Sequence, residues 1–600
     1  MFKDKEHKKT VLILFILILS YGSVAAAGHL SKVIGATAVY NGVTSFGMNL
    51  TAWVMYVATC VMLYRMTGRS DRRLHVVSLA LGLFVSTGCV WGTYAHFKND
   101  IFTDASTILT QIGVILGLSL FSVTLCEELF LIAERFRDIM AGEEIREKSL
   151  RRFLTAWGII FAFWFPVFLA FWPGNFVVDS AYQLQNVIEG YHFTHHPLAH
   201  TLLMGAAYNF GRSIGNASAG AQIYTLIQML VLSASCAYAV TYIYRKGFSR
   251  WIDRGAVVWF ALFPMHPIMA ITATKDILFA AFFMAFFIYV IRYFYDKEKF
   301  RVPQIIGMTV TGAGAMLYRN NGLYAIAVGM VILAIFQKTW KAKGKALLLL
   351  LAALLLYSGI NNALIHQVNA TKSDSNRESM SIPLQCMARV VAYRPGEMKE
   401  EYYEELLSYV SVEAMKTYNP YNADSVKGEA NEALLGTNKL NFLKLWIKIG
   451  LQFPGEYIEE IVTNTMGYWF PLGRGMYAEM DIRLYHILIG MGDEIEKKGL
   501  CPPVNAVYSP LFYSGEYENT PLLGYAYRSD GYIWLAVLLI CFAIIRKKYG
   551  ILAVMLIPAL YLGTCFLGPL AALRYVYSLI VLLPLQICLL VDSKKEKVGQ

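Results

Sequence analysis

Charge is scarce in this sequence. Of its 600 residues only 16% are Asp, Glu, Lys or Arg, against about a quarter in ordinary soluble domains. That excludes a wholly soluble chain and a charge-rich disordered one. Proline (18) and glycine (46) are too few and too aperiodic for a collagen-like polymer. Nine cysteines are too scattered for a disulfide scaffold, and none has the spacing of a metal site. Internal repeats and low-complexity tracts are missing as well. What is abundant is apolar: 56% of residues are hydrophobic and 14% aromatic, with a mean hydropathy of +0.45. The sequence therefore reads as an all-α integral membrane protein that crosses the bilayer repeatedly.

A crossing helix needs roughly 20 apolar residues. Fourteen stretches qualify: 11–27, 48–66, 76–97, 107–133, 154–171, 219–244, 255–272, 277–295, 303–318, 322–337, 345–366, 531–546, 549–570 and 574–592. Basic residues alternate with them as the positive-inside rule requires. Lys3, Lys5, Lys8 and Lys9 precede the first; clusters around Arg72, Arg151, Arg250, Lys297 and Lys343 follow at every second loop; Arg546 to Lys548 and Lys594 to Lys597 complete the series. Both termini are expected in the cytoplasm of a plasma (inner) membrane protein. The net charge of +11 thus reports sidedness, and no nucleic-acid partner is expected. The first stretch, with its basic start and Ala25-Ala26-Ala27 end, reads as a signal anchor rather than a cleaved signal peptide.

Two long segments fall outside. Residues 172–218 form the first large outer loop, and residues 367–530 are long enough for an outer domain. Four parts follow in chain order: a four-helix bundle (1–150), a membrane module (151–366), the outer domain (367–530) and C-terminal helices completing the module (531–600). Within the outer domain, 397–417 and 439–463 have helical periodicity. Leu445, Trp446 and Ile449 share one face of the second, Lys444 and Lys448 another, which suits either an interfacial helix or a core helix. Cys386 and Cys501 could pair in an oxidising compartment.

Polar residues gather at outer turns. Asp179 is the sole acid in Trp172-Pro173-Gly174 through Gln185. Partial desolvation there would raise its basicity and suit proton abstraction; alternatively it caps the following helix. Lys275-Asp276, Arg319-Asn320-Asn321 and Arg574-Tyr575 lie at outer turns of later stretches, at the same depth as Asp179. Charges at such depth usually face a cavity, and three cations beside an acid suit a phosphate head group. Each alone also fits a snorkelling interface residue. His195-His196-Pro197 lacks zinc-ligand spacing, and the segment to Phe210 is weakly apolar, as for a helix resting on the outer surface.

Asp179 in the first outer loop, His195-His196-Pro197-Leu198, Thr274-Lys275-Asp276, Arg319 and Arg574-Tyr575 together resemble the GT-C glycosyltransferases. These are polytopic enzymes that take sugar from polyprenyl-phosphate carriers, among them protein O-mannosyltransferases and aminoarabinose transferases. Pro173-Gly174, Asp179-Ser180 and Gln183 are similar to a sparsely described bacterial branch of that superfamily. The resemblance implies a GT-C-like core from about residue 150 to the end, and transfer of sugar to an extracytoplasmic acceptor hydroxyl of a cell-envelope glycan, lipid or protein. Asp179 would be the general base; Arg574, Arg319 and Lys275 would bind the donor phosphate. Tyr182, Gln183, His195, His196, Asp276, Asn320 and Tyr575 would contact substrate. Many relatives carry a second acid in the first loop; here Ser180 follows Asp179, so no divalent metal or other cofactor is expected. Rival readings are a transporter or lipid flippase, which would need pseudo-symmetric halves and mid-membrane charges, a polysaccharide polymerase, and a membrane acyltransferase built on His266, whose Phe263-to-Pro267 setting fits a packing histidine better.

Overall fold

The computed structural model describes residues 2–35, 50–140, 149–371, 376–471, 495–513, 520 and 523–591. Arg146, Lys148, Lys594, Lys595 and Lys597 lie outside them. Backbone polar groups in lipid can be satisfied only within helices or closed barrels, and here the apolar runs are helices. Among the described residues ten are long and apolar enough to cross a membrane: Lys9–Val33, Leu50–Thr67, Arg72–Lys98, Ala105–Met140, Leu150–Ala170, Ala217–Arg245, Lys275–Tyr295, Trp340–Gln367, Tyr549–Phe566 and Leu573–Val591. Arg250–Leu262 and Met265–Ile271 make an eleventh if counted across their 49° bend. The chain is an all-α, multi-pass membrane protein.

The other three expected crossings are shorter helices. Val302–Tyr318, Asn320–Ile335 and Ser529–Ile545 have 17, 16 and 17 residues, about 24–26 Å at 1.5 Å per residue, under the ~30 Å of a hydrocarbon core. The first two are short because Arg319, in an extended conformation, ends one and begins the next. At the bend, Pro264 and Pro267 withhold backbone donors. His266 is buried there against Trp259, Phe260 and Phe263, with Nδ1 3.0 Å from the Tyr577 hydroxyl. It packs the bend, as expected.

Packing follows other lines than chain order. One unit comprises Met1–Asp138, Met380–Arg474 and Val537–Lys548; the other comprises Ile139–Ser379, Gly475–Ala536 and Tyr549–Gln600. Most of the outer segment thus groups with the N-terminal helices. In this first unit, Ser381–Tyr393, Glu400–Tyr409, Lys439–Gln452 and Pro454–Thr465 enclose Leu384, Met387, Leu406, Phe442, Leu445 and Ile449. The two helices expected at 397–417 and 439–463 are present, each broken once. Ser411 caps a new turn in the first, and Pro454 starts a new helix in the second. Burial of Leu445 and Ile449 makes Lys439–Gln452 a core helix of this domain.

That core holds charge. Arg389 bonds Glu456 (3.0 Å) and Glu459, and Glu459 accepts from the backbone N–H groups of Ile101 (2.6 Å) and Phe102 (2.7 Å). The outer domain is therefore clamped to the turn before Ala105–Met140 by a buried carboxylate with every partner in place. Cys386 is buried nearby, and Cys386 and Cys501 are both free thiols.

In the second unit Lys275–Tyr295 forms the axis. Its apolar window is 83% buried, as expected of a helix hydrophobic all round. Val302–Tyr318 approaches it closely because Gly314 leaves room for Phe282: a Cβ at Gly314 would stand 2.5 Å from that ring. Small residues permit such approaches between membrane helices.

Candidate functional site

Two strands of two residues assemble the site. Asn175–Phe176 (β1) and Thr272–Ala273 (β2) pair in parallel, Asn175 with Thr272 and Phe176 with Ala273. Each leads into a helix, Val178–Glu189 and Lys275–Val290. Their first turns, bearing Asp179 and Lys275-Asp276, consequently lie side by side. Gly174 makes the approach possible. Its φ of +129° is open to glycine alone, and a Cβ there would stand 2.4 Å from Thr225 Oγ1. Gln228 holds β2 by donating to the carbonyls of Ala270 and Thr272, each at 2.8 Å.

Asp179 Oδ2 lies 3.1 Å from Lys275 Nζ and 3.4 Å from Arg574. Arg319 pairs with Asp276, and Arg574 Nε stands 3.8 Å from the same carboxyl. The Tyr575 ring supports both guanidiniums, with Arg319 4.4 Å and Arg574 5.2 Å from its centroid. Thr274 caps the Lys275 helix and donates 3.1 Å to Asp276. Three cations face two carboxylates, and two helix N-termini add their positive ends. One positive charge is in excess, which suits a bound anion.

The cations stand beside Asp179 as expected, and the expected rise in its basicity is corrected. Burial pushes its carboxyl up, but the Lys275 ammonium and Arg574 guanidinium outweigh burial and hold it well below the usual carboxylate range. Nor does it cap a helix. Val177 is the N-cap residue, and the Asp179 carboxylate is spent on the two cations.

The remaining expected residues separate into four places. His196 Nδ1 sits 3.0 Å from Lys275 Nζ; an ammonium only donates, so Nδ1 accepts and the ring proton is on Nε2. Burial, with the Lys275 charge, drives His196 down to about 2 and keeps it neutral. Gln183 lies beneath the cluster, where Oε1 accepts from His200 Nδ1 and Thr201 Oγ1, both at 2.8 Å. The Tyr224 hydroxyl is 2.6 Å from His200 Nε2 and 2.9 Å from Gln228 Oε1. This buried relay ties the first outer loop to β2, and Gln183 belongs to it. Tyr182 and His195 are exposed, and Asn320 lines a cavity beyond His196. Sequence reading missed Tyr224 and Gln228, whose setting inside an apolar helix gives no signal short of the fold.

The His195-His196 segment is tied down in turn: Thr194 N–H donates to the Thr371 carbonyl (3.1 Å) and Thr371 N–H to that of His192 (2.8 Å). Among the described residues no three His, Cys, Asp or Glu side chains converge as metal ligands would.

No curated protein and no solved structure matches the chain. Residues 189–600, which include Lys275, Arg319 and Arg574 while Asp179 falls just before them, match a family described as a family of unknown function, DUF6020. More than half of the sequence is covered, and the chain belongs to that family.

Proposed function

We propose that this protein is a membrane glycosyltransferase that moves a sugar from a polyprenyl-phosphate donor to an acceptor hydroxyl. The observation that carries the reading is the convergence of Lys275, Arg319 and Arg574 on Asp179 and Asp276 at two helix N-termini. The acceptor oxygen attacks the anomeric carbon, its proton passes to Asp179, and the bond from that carbon to the phosphate oxygen breaks. Polyprenyl phosphate leaves with one more negative charge than the donor diester carried. Lys275 and Arg574, already aimed at this point, stabilise that charge where it develops.

The same contacts regulate the base. A carboxylate paired with two cations is too weak a base to abstract a proton readily. Donor phosphate competes for Lys275 and Arg574, so Asp179 regains basicity only when donor is bound. In this reading fourteen crossings place both termini in the cytoplasm and the site at the outer face, within a GT-C-like core.

The test is sugar transfer by the purified protein in liposomes containing polyprenyl-phosphate sugars. Asp179→Asn is nearly isosteric and should lower turnover about 10²–10⁴-fold while donor binding persists. Arg574→Ala should weaken donor binding about tenfold to a hundredfold, by loss of a charge-assisted contact. Near wild-type transfer by Asp179→Asn would sink the assignment.

A further inference from the structure

The helix Trp340–Gln367 contributes no charge to the ion cluster, yet it helps enclose a cavity of about 250 Å³ next to it. His196 lines this cavity and also touches Lys275, so cavity and cluster share a side chain. Asn320, Tyr357 and Asn361 line it too, with Met316 and Ile365 as apolar wall. No ionised side chain is among the lining residues described. Asn320 and Asn361 make no side-chain hydrogen bond among the described residues, and the tautomer fixed by Lys275 leaves His196 Nε2–H as a further donor.

We propose that this cavity seats one uncharged sugar ring, an inference that rests on the transferase reading and specifies its substrate. Two carboxamides each present a donor pair and an acceptor, which matches the mixed demands of neighbouring sugar hydroxyls. Tyr357 and Met316 offer surface to the ring's C–H face. The volume lies below the roughly 300–1,000 Å³ of sites for drug-sized ligands, so it fits a monosaccharide rather than a longer glycan. A sugar carboxylate or ammonium would find no counter-charge among the lining side chains to repay the water it gives up there. The ring belongs either to the donor or to the residue being glycosylated, and the chemistry of recognition is the same.

Full-length protein in lipid nanodiscs is titrated by saturation-transfer NMR with methyl glucoside, methyl mannoside and methyl galactoside, and with methyl glucuronide and methyl glucosaminide as charged probes. At least one neutral glycoside should bind about tenfold more tightly than either charged one. Asn361→Leu, with an unchanged melting temperature, should weaken it about three- to tenfold, the worth of one neutral hydrogen bond, and Tyr357→Ala should weaken it similarly by removing the ring's apolar face. Equal binding of charged and neutral probes, no neutral binding, or neutral binding untouched by both variants overturns the proposal. A sugar-bearing polyprenyl phosphonate that displaces the probe assigns the seat to the donor ring; failure to displace it assigns the acceptor ring. Asn361-dependent binding without any sugar transfer by the wild type overturns the transferase reading and keeps the seat. Transfer with unaltered KM for both substrates in Asn361→Leu does the reverse.

Discussion

Two opposing forces act on Asp179, and their balance can be read from a pH profile. Burial favours the neutral acid, while Lys275 and Arg574 favour the carboxylate and prevail. With its carboxyl held below the ordinary range, Asp179 stays ionised as pH falls through about 4, so the acid side of the kcat/KM profile should be flat there. Lys275→Met removes the nearest cation and leaves the burial. The acid limb should then move to higher pH, with Arg574 still opposing the burial; an unmoved limb would take Asp179 out of the proton transfer. Both site carboxylates are engaged by cations, so transfer should also survive exhaustive chelation, and its complete loss restored by Mg²⁺ or Mn²⁺ would contradict this. Charges at outer turns made Asp179, Lys275, Arg319 and Arg574 legible from sequence, because an ion at a membrane boundary needs a reason. Their pairing was not legible. Nothing in the chain order says that Asp276 takes Arg319, or that Gln183 faces inward to His200 rather than outward to substrate.

Among the elements, the apolar helices were legible because length and composition decide them. The two-residue strands β1 and β2 were not, since two residues carry no periodicity. Yet that ladder sets the spacing of Asp179 and Lys275. Gly174→Ala should therefore harm the site more than the bundle: a clash 2.4 Å from Thr225 displaces Asp179, with turnover falling while most helices remain. The outer domain makes the complementary case. Arg389, Glu456, Glu459 and Glu460 were given no role from sequence, and all four are buried. Glu459→Gln should cost about 3–5 kcal/mol, as expected when one member of a buried ion pair is removed, measured by denaturant unfolding of the detergent-solubilised protein. Glu460 behaves differently. Burial, opposed by the bond from Tyr418, raises its carboxyl from 4.5 to about 8. A raised acid binds its proton more tightly when folded, so its contribution is complete below about pH 4.5 and is lost as pH rises towards 8. Stability of the protein should fall across that window, and Glu460→Gln should flatten the slope. A slope unchanged in the variant would assign it to another group.

For the whole molecule, sidedness is the property on which the proposed chemistry depends, and the expectation for it rests on the basic loops alone. Fourteen crossings would put 172–218 and 367–530 on one side and the loops at Arg250 and Lys341 on the other. The three helices of 16–17 residues test this count. Val302–Tyr318 and Asn320–Ile335 together form an out-and-back pair around Arg319, so losing both as crossings would leave later loops unchanged, whereas losing one would invert them. Single cysteines at Glu189, Ser408 and Lys341, all exposed positions, read the two alternatives directly. In a background where Cys501 is replaced by Ser, a membrane-impermeant maleimide added to intact cells should label Glu189→Cys and Ser408→Cys and spare Lys341→Cys until the cells are opened. Glu189 lies before the short pair and Ser408 after it. Labelling at Glu189 without Ser408 would mean that an odd number of the intervening helices crosses. With Ser529–Ile545 and Tyr549–Phe566 both crossing, Arg574, downstream of that reversal, would then face the cytoplasm while Asp179 faced out. Their 3.4 Å contact forbids that arrangement, so agreement of the two labels is a condition of the site as well as of the topology.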